Sequence, residues 1–237
     1  NLSCFCEMVR DCKMKKTFRK ICLLFCWCSL ILTSGCKEDT PSSGDNSTTQ
    51  SATVVQGKTM GTFYAVNVVG GYKGGEDGLK KLAEQTFKKI IDEISTFDKN
   101  AELARFNEFK STEPFEISKD LSSIIQKSVY QGHRIYDAMD ITVGPLVNLW
   151  GFGRTERQGV APSPEDIEQA LRLVGYDKFD IRFEDGKSFL VKHDPDLRLD
   201  LATVGEGLGA DALAFELVKE GYQNFMVNVA GASRSLG

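Results

Sequence analysis

Cysteine is confined to one end of this chain. All seven cysteines lie within the first 36 residues, and residues 37–237 contain none. A body with neither thiols nor disulfides is compatible with an exported domain. A zinc site at Cys4-x-Cys6 or Cys26-x-Cys28 is excluded, because both pairs flank or enter an apolar run and neither has a histidine nearby.

Histidine and positive charge are also scarce. The chain has two histidines, His133 and His193, which are most simply interpreted as surface residues. The formal net charge is −4, and no basic stripe is visible outside the N-terminus, which argues against nucleic acid as a partner. Charged residues make up 26% and hydrophobic residues 41%, a mixture typical of globular proteins with a real core. A chain of 237 residues can hold one large or two small domains.

The N-terminal region lacks an apolar run long enough to span a bilayer. Ile21–Leu32 is an uncharged run of 12 residues, whereas a spanning helix needs about 20. It follows the basic segment Met14–Lys20 and precedes small residues. This order predicts a signal peptide over residues 14–36, and residues 1–13 are interpreted as over-extended translation.

The end of this segment, Leu32-Thr33-Ser34-Gly35-Cys36, resembles a bacterial lipobox, although leucine is usual where Thr33 stands. The resemblance implies removal of the preceding residues and lipid attachment at Cys36, which would hold the protein at a membrane surface. An ordinary signal peptide with an incidental cysteine is the alternative. Residues 37–52 are rich in serine, threonine, aspartate and glycine, which predicts a flexible tether with a reach of about 20–24 Å.

Residues 53–237 predict strands and helices without regular βαβ alternation, hence an α+β fold. Alternation at Tyr64, Val66 and Val68 predicts a strand near the start. Apolar spacings of three and four predict an amphipathic helix over 79–94. Further helices are predicted after Ser118 and after Ser163-Pro164, a hairpin at Asp185-Gly186, an apolar strand at Asp140–Val143, and a last strand at 225–229 followed by a small-residue turn at 230–233.

The most informative stretch is 197–211. Leu197–Leu201 alternates like a short strand, and Gly205, Gly207 and Gly209 then follow at every second position before a helical stripe begins at Leu208. We interpret the unit as strand, glycine turn, helix and strand. A glycine turn at a helix start can bind a phosphate, because its unpaired N–H groups donate hydrogen bonds and the positive end of the helix dipole attracts negative charge.

Two alternatives remain for this stretch. The glycines at 205–209 merely permit tight packing, or they form part of a dinucleotide fingerprint in an NAD-binding oxidoreductase domain. Gly205, Gly207 and Ala210 fit that fingerprint loosely. The acidic residue that it requires after the second strand is missing, so this interpretation is weak.

Six sequence blocks together resemble the ApbE family of flavin transferases. The resemblance covers roughly Val54 to Gly237 and implies an α+β, T-fold-like architecture with mixed sheet and helices, incomplete at the C-terminus. The blocks are Met60-Gly61-Thr62, Ile94–Phe97 with Arg105-Phe106-Asn107, Met139–Pro145, Trp150–Gly153, Asp200–Gly207 and Val227–Ala232.

The resemblance implies a Mg²⁺-dependent exported enzyme that transfers FMN from FAD to a threonine of a target protein in a membrane redox complex and releases AMP. It implies that Thr203 helps to hold the metal. Phe97 would offer a ring for stacking, or alternatively closes the core at the end of its helix. The residues implied to contact the flavin nucleotide are Met60, Phe97, Ala138, Met139, Asp140, Asp200 and Glu206.

The chain also departs from the family pattern. The family's C-terminal portion supplies a histidine motif and an Asp–Thr pair that completes the metal site, and this chain stops at Gly237 before them. Ala230 stands where the family often has glycine. We therefore assign no catalytic residue and expect the 237-residue product not to transfer FMN. A flavin-binding lipoprotein without catalysis is the main alternative.

Overall fold

The computed structural model describes residues 51–154 and 159–237. These residues form two antiparallel sheets with helices packed against them. The elements are β1 Ala52–Thr59, β2 Thr62–Val69, α1 Gly75–Ile94, α2 Glu102–Glu108, β3 Phe115–Ile117, α3 Lys119–Arg134, α4 Gly144–Leu149, α5 Pro164–Leu171, β4 Phe179–Glu184, β5 Lys187–Lys192, α6 Ala202–Lys219, β6 Phe225–Val229 and β7 Ala232–Leu236.

The larger sheet has the strand order β1-β2-β6-β7, and each neighbouring pair is antiparallel. The predicted alternation in β2 is confirmed, because Tyr64, Val66 and Val68 are buried. Their inward face packs against α1 and α6 to form one core. Each fully buried large side chain of this kind contributes about 1.5–3 kcal/mol.

The smaller sheet has the strand order β3-β5-β4 and packs with α2 and α3 around a second core. Its predicted hairpin is confirmed. Asp185 and Gly186 both have positive φ, 51° and 75°, as a tight two-residue turn between antiparallel strands requires. An Asp-Gly pair adopts this conformation more easily than most residues, which is why the sequence located the turn.

Both predicted helix caps are confirmed. The Ser118 hydroxyl accepts a hydrogen bond from the amide of Leu121, and the Ser163 hydroxyl accepts one from the amide of Asp166. Pro164 occupies the first turn of α5, where its missing N–H costs nothing. None of the helices within 51–154 and 159–237 is long and apolar enough to cross a membrane.

The interpretation of Leu197–Leu201 as a strand and Gly205–Gly209 as a turn is wrong. Leu197–Leu201 pairs with no strand, and the glycines lie inside α6. A Cβ atom on Gly205 would lie 3.2 Å from Ile94, and one on Gly209 would lie 3.3 Å from Met60. The glycines therefore let neighbouring side chains approach the helix closely, as the packing alternative held.

Two other expectations need correction, and one strand was not predicted. Met60 and Gly61 form the turn of a hairpin that joins β1, which was not predicted, to the predicted strand β2. Asp140–Val143 forms a turn rather than an apolar strand and leads into α4. The small-residue turn at the end is only Ala230-Gly231, since Ala232 already pairs with Val229.

The glycines of α6 should respond oppositely to substitution. A Cβ on Gly207 meets nothing within 4 Å, so Gly207→Ala should stabilise the protein by about 1 kcal/mol through helix propensity. Gly209→Leu should destabilise it by about 1–3 kcal/mol, because Met60 and Phe87 already occupy the space. Urea unfolding midpoints measure both. Equal shifts of the same sign would contradict the packing described here.

Candidate functional site

A cavity of about 710 Å³ lies where the β1–β2 turn, the end of α1 and the start of α6 meet. Met60, Phe97 and Glu206, three of the residues predicted to contact the flavin nucleotide, line it. The other lining residues are Gly61, Ile91, Ile94, Ser95, Thr96, Asp98, Ala202 and Gly205. The cavity brings together segments that are far apart in sequence.

Met60 joins the hairpin turn to α6. It has φ 49°, followed by Gly61 with φ 76°, and a non-glycine residue in this left-handed region costs about 1–2 kcal/mol. Its side chain reaches α6, where its Sδ lies 3.9 Å from the position of a Cβ on Gly205 and its Cε lies 3.3 Å from that on Gly209. The glycines of α6 therefore make room for Met60 at the cavity wall.

Phe97 presents its ring to solvent and to the cavity. The ring does not close the core, since 64% of the residue is exposed. The Ser95 hydroxyl accepts hydrogen bonds from the amides of Phe97 and Asp98, at 3.1 and 3.0 Å, and so fixes the turn that follows α1. An exposed aromatic ring held by a fixed turn is suited to stacking on a flat heterocycle.

Asp200 and Glu206 bracket the first turn of α6. The Asp200 carboxylate accepts a hydrogen bond from the amide of Ala202 at 2.8 Å, and the Asp200 amide donates to the carbonyl of Ile141 at 2.7 Å. Asp200 lines a small second cavity, which shares Thr96 with the first. Thr203 is exposed in the same helical turn. This region thus combines carboxylates with the positive end of a helix dipole.

Ala138, Met139 and Asp140 do not line the 710 Å³ cavity. Asp140 accepts hydrogen bonds from the amide and hydroxyl of Thr142, at 2.8 and 2.6 Å, and the Met139 carbonyl accepts one from Tyr176. This segment is connected to the site through the backbone, because the carbonyl of the next residue, Ile141, accepts the hydrogen bond of the Asp200 amide. The structure therefore gathers Met60, Phe97 and Glu206 and places the 138–140 segment beside Asp200.

Sequence reasoning included Thr96 and Asn107 in the family blocks but assigned neither of them to the site. Thr96 lies between both cavities. Asn107 is only 2% exposed, and its side-chain amide pairs with both backbone groups of Leu199 at 2.8 Å. A polar residue amid the apolar side of a short helix was the available signal, but its partner, Leu199, is 92 residues away in sequence.

Metal ligands are sparse in the part of the chain that the structure describes. It contains no group of three histidine, cysteine, aspartate or glutamate side chains placed to hold a metal. Both histidines are exposed, as predicted. His133 contacts Asp137, and His193 contacts Asp180, whose hydrogen bond raises the pKa of His193. Thr203, with Asp200 and Glu206 nearby in sequence, therefore supplies at most part of a coordination shell.

A second large cavity, of about 730 Å³, lies among α1, α3, α6 and β7. None of the residues predicted to bind flavin or metal lines it. Glu93 is half-buried there; burial, with the nearby carboxylates of Asp120, Glu102 and Asp92, raises its pKa to about 7. The cavity near Phe97 shares no lining residue with this one and is therefore distinct from it.

The dinucleotide fingerprint lacks its required geometry. That fingerprint needs a strand, a tight glycine turn and then a helix, whereas Gly205 and Gly207 lie within α6 and no strand precedes it directly. The comparison with known families agrees with the other interpretation. A sequence model of the ApbE family matches residues 60–237. This chain belongs to the ApbE family.

Relatives and solved structures of ApbE proteins resemble the chain along much of its length. It is 38% identical over 224 residues to the FAD:protein FMN transferase of Klebsiella pneumoniae (strain 342), covering 94% of this chain and 62% of the relative. It is 38% identical over 185 residues to that of Escherichia coli (strain K12), covering 78% and 53%. The chain thus spans less than two thirds of these ApbE relatives.

The solved structures confirm the α+β, ApbE-like fold. The flavin transferase ApbE from Vibrio cholerae superimposes with a TM-score of 0.73 at 32% identity, covering 79% of this chain and 60% of that one. The apo form of the Pseudomonas stutzeri flavinyl transferase ApbE gives 0.70 at 26% identity, covering 79% and 58%. The predicted family resemblance is therefore confirmed.

Proposed function

We propose that this chain is the flavin-binding part of an FAD:protein FMN transferase. The observation that carries the proposal is the 710 Å³ cavity, which gathers Met60, Phe97 and Glu206 beside the start of α6. Its volume lies within the 300–1,000 Å³ typical of ligand sites. The names of its ApbE relatives, which are FAD:protein FMN transferases, supply the substrate and the reaction class.

The lining residues suit different parts of FAD. The exposed ring of Phe97 offers a stacking surface for a flat heterocycle. The first turn of α6 offers the positive end of its dipole to a diphosphate. The carboxylates of Asp200 and Glu206 accept hydrogen bonds from hydroxyl or ring N–H groups, while their negative charge disfavours an unaccompanied diphosphate. Together these groups favour a nucleotide that brings a cation with it.

The cation that we propose is Mg²⁺. It usually binds through one or two protein oxygens together with substrate phosphates, and the Thr203 hydroxyl is exposed in the first turn of α6. When bound, Mg²⁺ would neutralise charge on the diphosphate. The described residues provide only part of a ligand shell. We therefore propose that they supply some of the Mg²⁺ ligands and not all of them.

The proposed reaction forms a bond between a threonine oxygen of the acceptor and the FMN phosphorus, and breaks the bond that joins the two phosphates, so that AMP leaves. Phosphoryl transfer depends mainly on positioning and on charge stabilisation. Binding and orienting FAD are the roles of Met60, Phe97, Asp200 and Glu206, with Ala138–Asp140 beside Asp200. No residue of the chain is assigned as the base that takes the threonine proton.

We further propose that the protein is exported and lipid-anchored through Cys36, with an acceptor in a membrane redox complex. The support is the order of basic segment, apolar run, lipobox-like residues and polar tether in residues 14–52. Residues 1–50 lie outside the described part of the chain. A tethered enzyme would meet its acceptor at the membrane surface.

FAD binding tests the proposal directly. Titration followed by flavin fluorescence should show binding that tightens at least about tenfold with Mg²⁺, an effect of about 1.4 kcal/mol. Glu206→Gln should reduce this Mg²⁺ dependence, because it removes a negative charge from the cavity. Glu216→Gln, nearer the C-terminal end of the same helix, is the matched control. Its FAD binding should depend on Mg²⁺ as that of wild type does.

Two further results separate the alternatives. Displacement of FAD by NAD would favour an oxidoreductase domain. Bound FAD with neither AMP release nor acceptor flavinylation, in a chain that also carries the family's C-terminal segment, would favour a binding lipoprotein. Covalent flavin fluorescence on a threonine-bearing acceptor would establish transfer and would contradict the expectation of an inactive chain. Absence of FAD binding with Mg²⁺ present would refute the proposed function.

A further inference from the structure

The segment before α6 is buried without belonging to a sheet. Leu197, Leu199 and Leu201 are fully buried, yet the segment pairs with no strand. Buried backbone N–H and C=O groups need partners, since each unpaired group costs free energy comparable to a lost hydrogen bond. The Leu199 groups find theirs in one side chain. Asn107 accepts from the Leu199 amide and donates to the Leu199 carbonyl, both at 2.8 Å.

Asn107 is itself held by a buried lysine. The Lys192 ammonium lies 3.4 Å from the carbonyl of Asn107 and 3.4 Å from that of Pro195. It also lies 4.8 Å from the ring centroid of Phe106. Lys192 is 1% exposed, and the contacts that the structure describes for its ammonium are to two carbonyls and a ring rather than to a carboxylate. The ammonium thus joins the end of α2 to the loop that follows β5.

The residue next to Leu199 belongs to the proposed flavin site. Asp200 donates its amide to Ile141 and caps the amide of Ala202 with its carboxylate. Holding Leu199 from the α2 side therefore fixes where Asp200 and the first turn of α6 lie. We infer that Asn107 and Lys192 form a buried brace that positions Asp200 and the start of α6 for FAD binding. This inference rests on the proposed function, and neither residue lines the 710 Å³ cavity.

The charge on Lys192 indicates a role other than stability. Burial lowers its pKa to about 8, helped by Lys110 and Arg198, and opposed by Asp196 and Glu108. A buried ammonium without a carboxylate partner costs free energy, and an apolar residue of similar volume is often neutral or stabilising in its place. If Lys192 serves to position the site, replacing it with an apolar residue of similar volume should stabilise the protein and yet weaken FAD binding.

FAD affinity and stability, measured together, test the brace. Asn107→Ala should weaken FAD binding at least tenfold at a temperature where the variant is folded, because the Leu199 backbone loses both partners. Lys192→Met should raise the unfolding midpoint at pH 7 and still weaken FAD binding about fivefold. Val68→Ala, a fully buried position in the larger sheet, controls for lost stability and should bind within twofold of wild type.

A conservative variant adds a pH-dependent rescue. Asn107→Asp keeps the acceptor but loses the donor while ionised, and its protonated carboxyl again offers both to Leu199. Relative to wild type at each pH, its FAD affinity should recover as the pH falls from 8 to 5. The Lys192 ammonium lies near the Asn107 carbonyl, and the charged groups that act on this ammonium are Lys110, Arg198, Asp196 and Glu108. An affinity, relative to wild type, that stays constant from pH 8 to pH 5 would contradict the brace.

Hydrogen exchange separates this inference from the proposed function. Asn107→Ala should speed exchange at the amides of Ala202, Val204 and Gly205, and Val68→Ala should not. If the wild type binds no FAD, the proposed function fails. Exchange in Asn107→Ala that is unchanged at these three amides would overturn the brace, whether or not FAD binds. If the wild type binds FAD, affinity within twofold of wild type in Asn107→Ala would overturn the brace alone.

Discussion

A tryptophan at Ala202 is expected to weaken FAD binding by at least about 100-fold, or about 2.7 kcal/mol. Ala202 is exposed at the first position of α6 and lines the 710 Å³ cavity. An indole there would occupy space that the nucleotide needs. The fold should tolerate it, because the Ala202 backbone amide still donates to Asp200.

The control for this variant lies on the same helix. Lys219→Trp adds the same side chain in the last turn of α6, at a position that is not part of the cavity lining. Its FAD affinity should match that of wild type. Flavin fluorescence gives both affinities, and circular dichroism checks that both variants are folded. If Ala202→Trp binds FAD within twofold of wild type, the nucleotide does not occupy this cavity.

Local sequence patterns predicted the elements whose stability is local. The alternation at Tyr64, Val66 and Val68 follows from one buried sheet face. The cap at Ser118 and the turn at Asp185-Gly186 depend on hydrogen bonds or dihedral angles within a few residues. Each of these residues carries the signal for its own conformation, so no knowledge of distant contacts was needed.

The glycine run shows where such reasoning fails. Each glycine costs a helix about 1 kcal/mol relative to alanine, so three in five residues indicated a turn. The structure places them in a helix because Gly205 and Gly209 accept Met60, Ile94 and Phe87 at short range. Tertiary packing of one face outweighs local propensity here. No pattern within residues 197–211 contains that information.

The site was predicted in part for a similar reason. Met60, Phe97 and Glu206 came from the family resemblance, and the structure places all three around one cavity. Asn107 pairs with a residue 92 positions away, and Lys192 is buried by contacts with two separate carbonyls. A sequence shows that such residues are polar, but only the fold shows that they are enclosed and what they hold.

The stability gain of Lys192→Met should depend strongly on pH. Lysine has a pKa near 10.4 in an unfolded chain, and burial lowers that of Lys192 to about 8. Between these values the unfolded state binds a proton that the native state does not, so wild-type stability rises with pH. Below pH 8 both states are charged, and the native state carries the full cost of the buried ammonium.

Lys192→Met lacks this titration. The difference in the free energy of unfolding between Lys192→Met and wild type should therefore be largest near pH 7 and should shrink by about 2–3 kcal/mol by pH 10. Urea unfolding at both pH values measures the change. Lys219→Met, which removes an exposed lysine from the end of α6, controls for a lost surface charge. A difference between Lys192→Met and wild type that is equal at pH 7 and pH 10 would mean that the Lys192 ammonium is solvated in the native protein. The positioning of Asn107, Leu199 and Asp200 would then not depend on a buried ammonium.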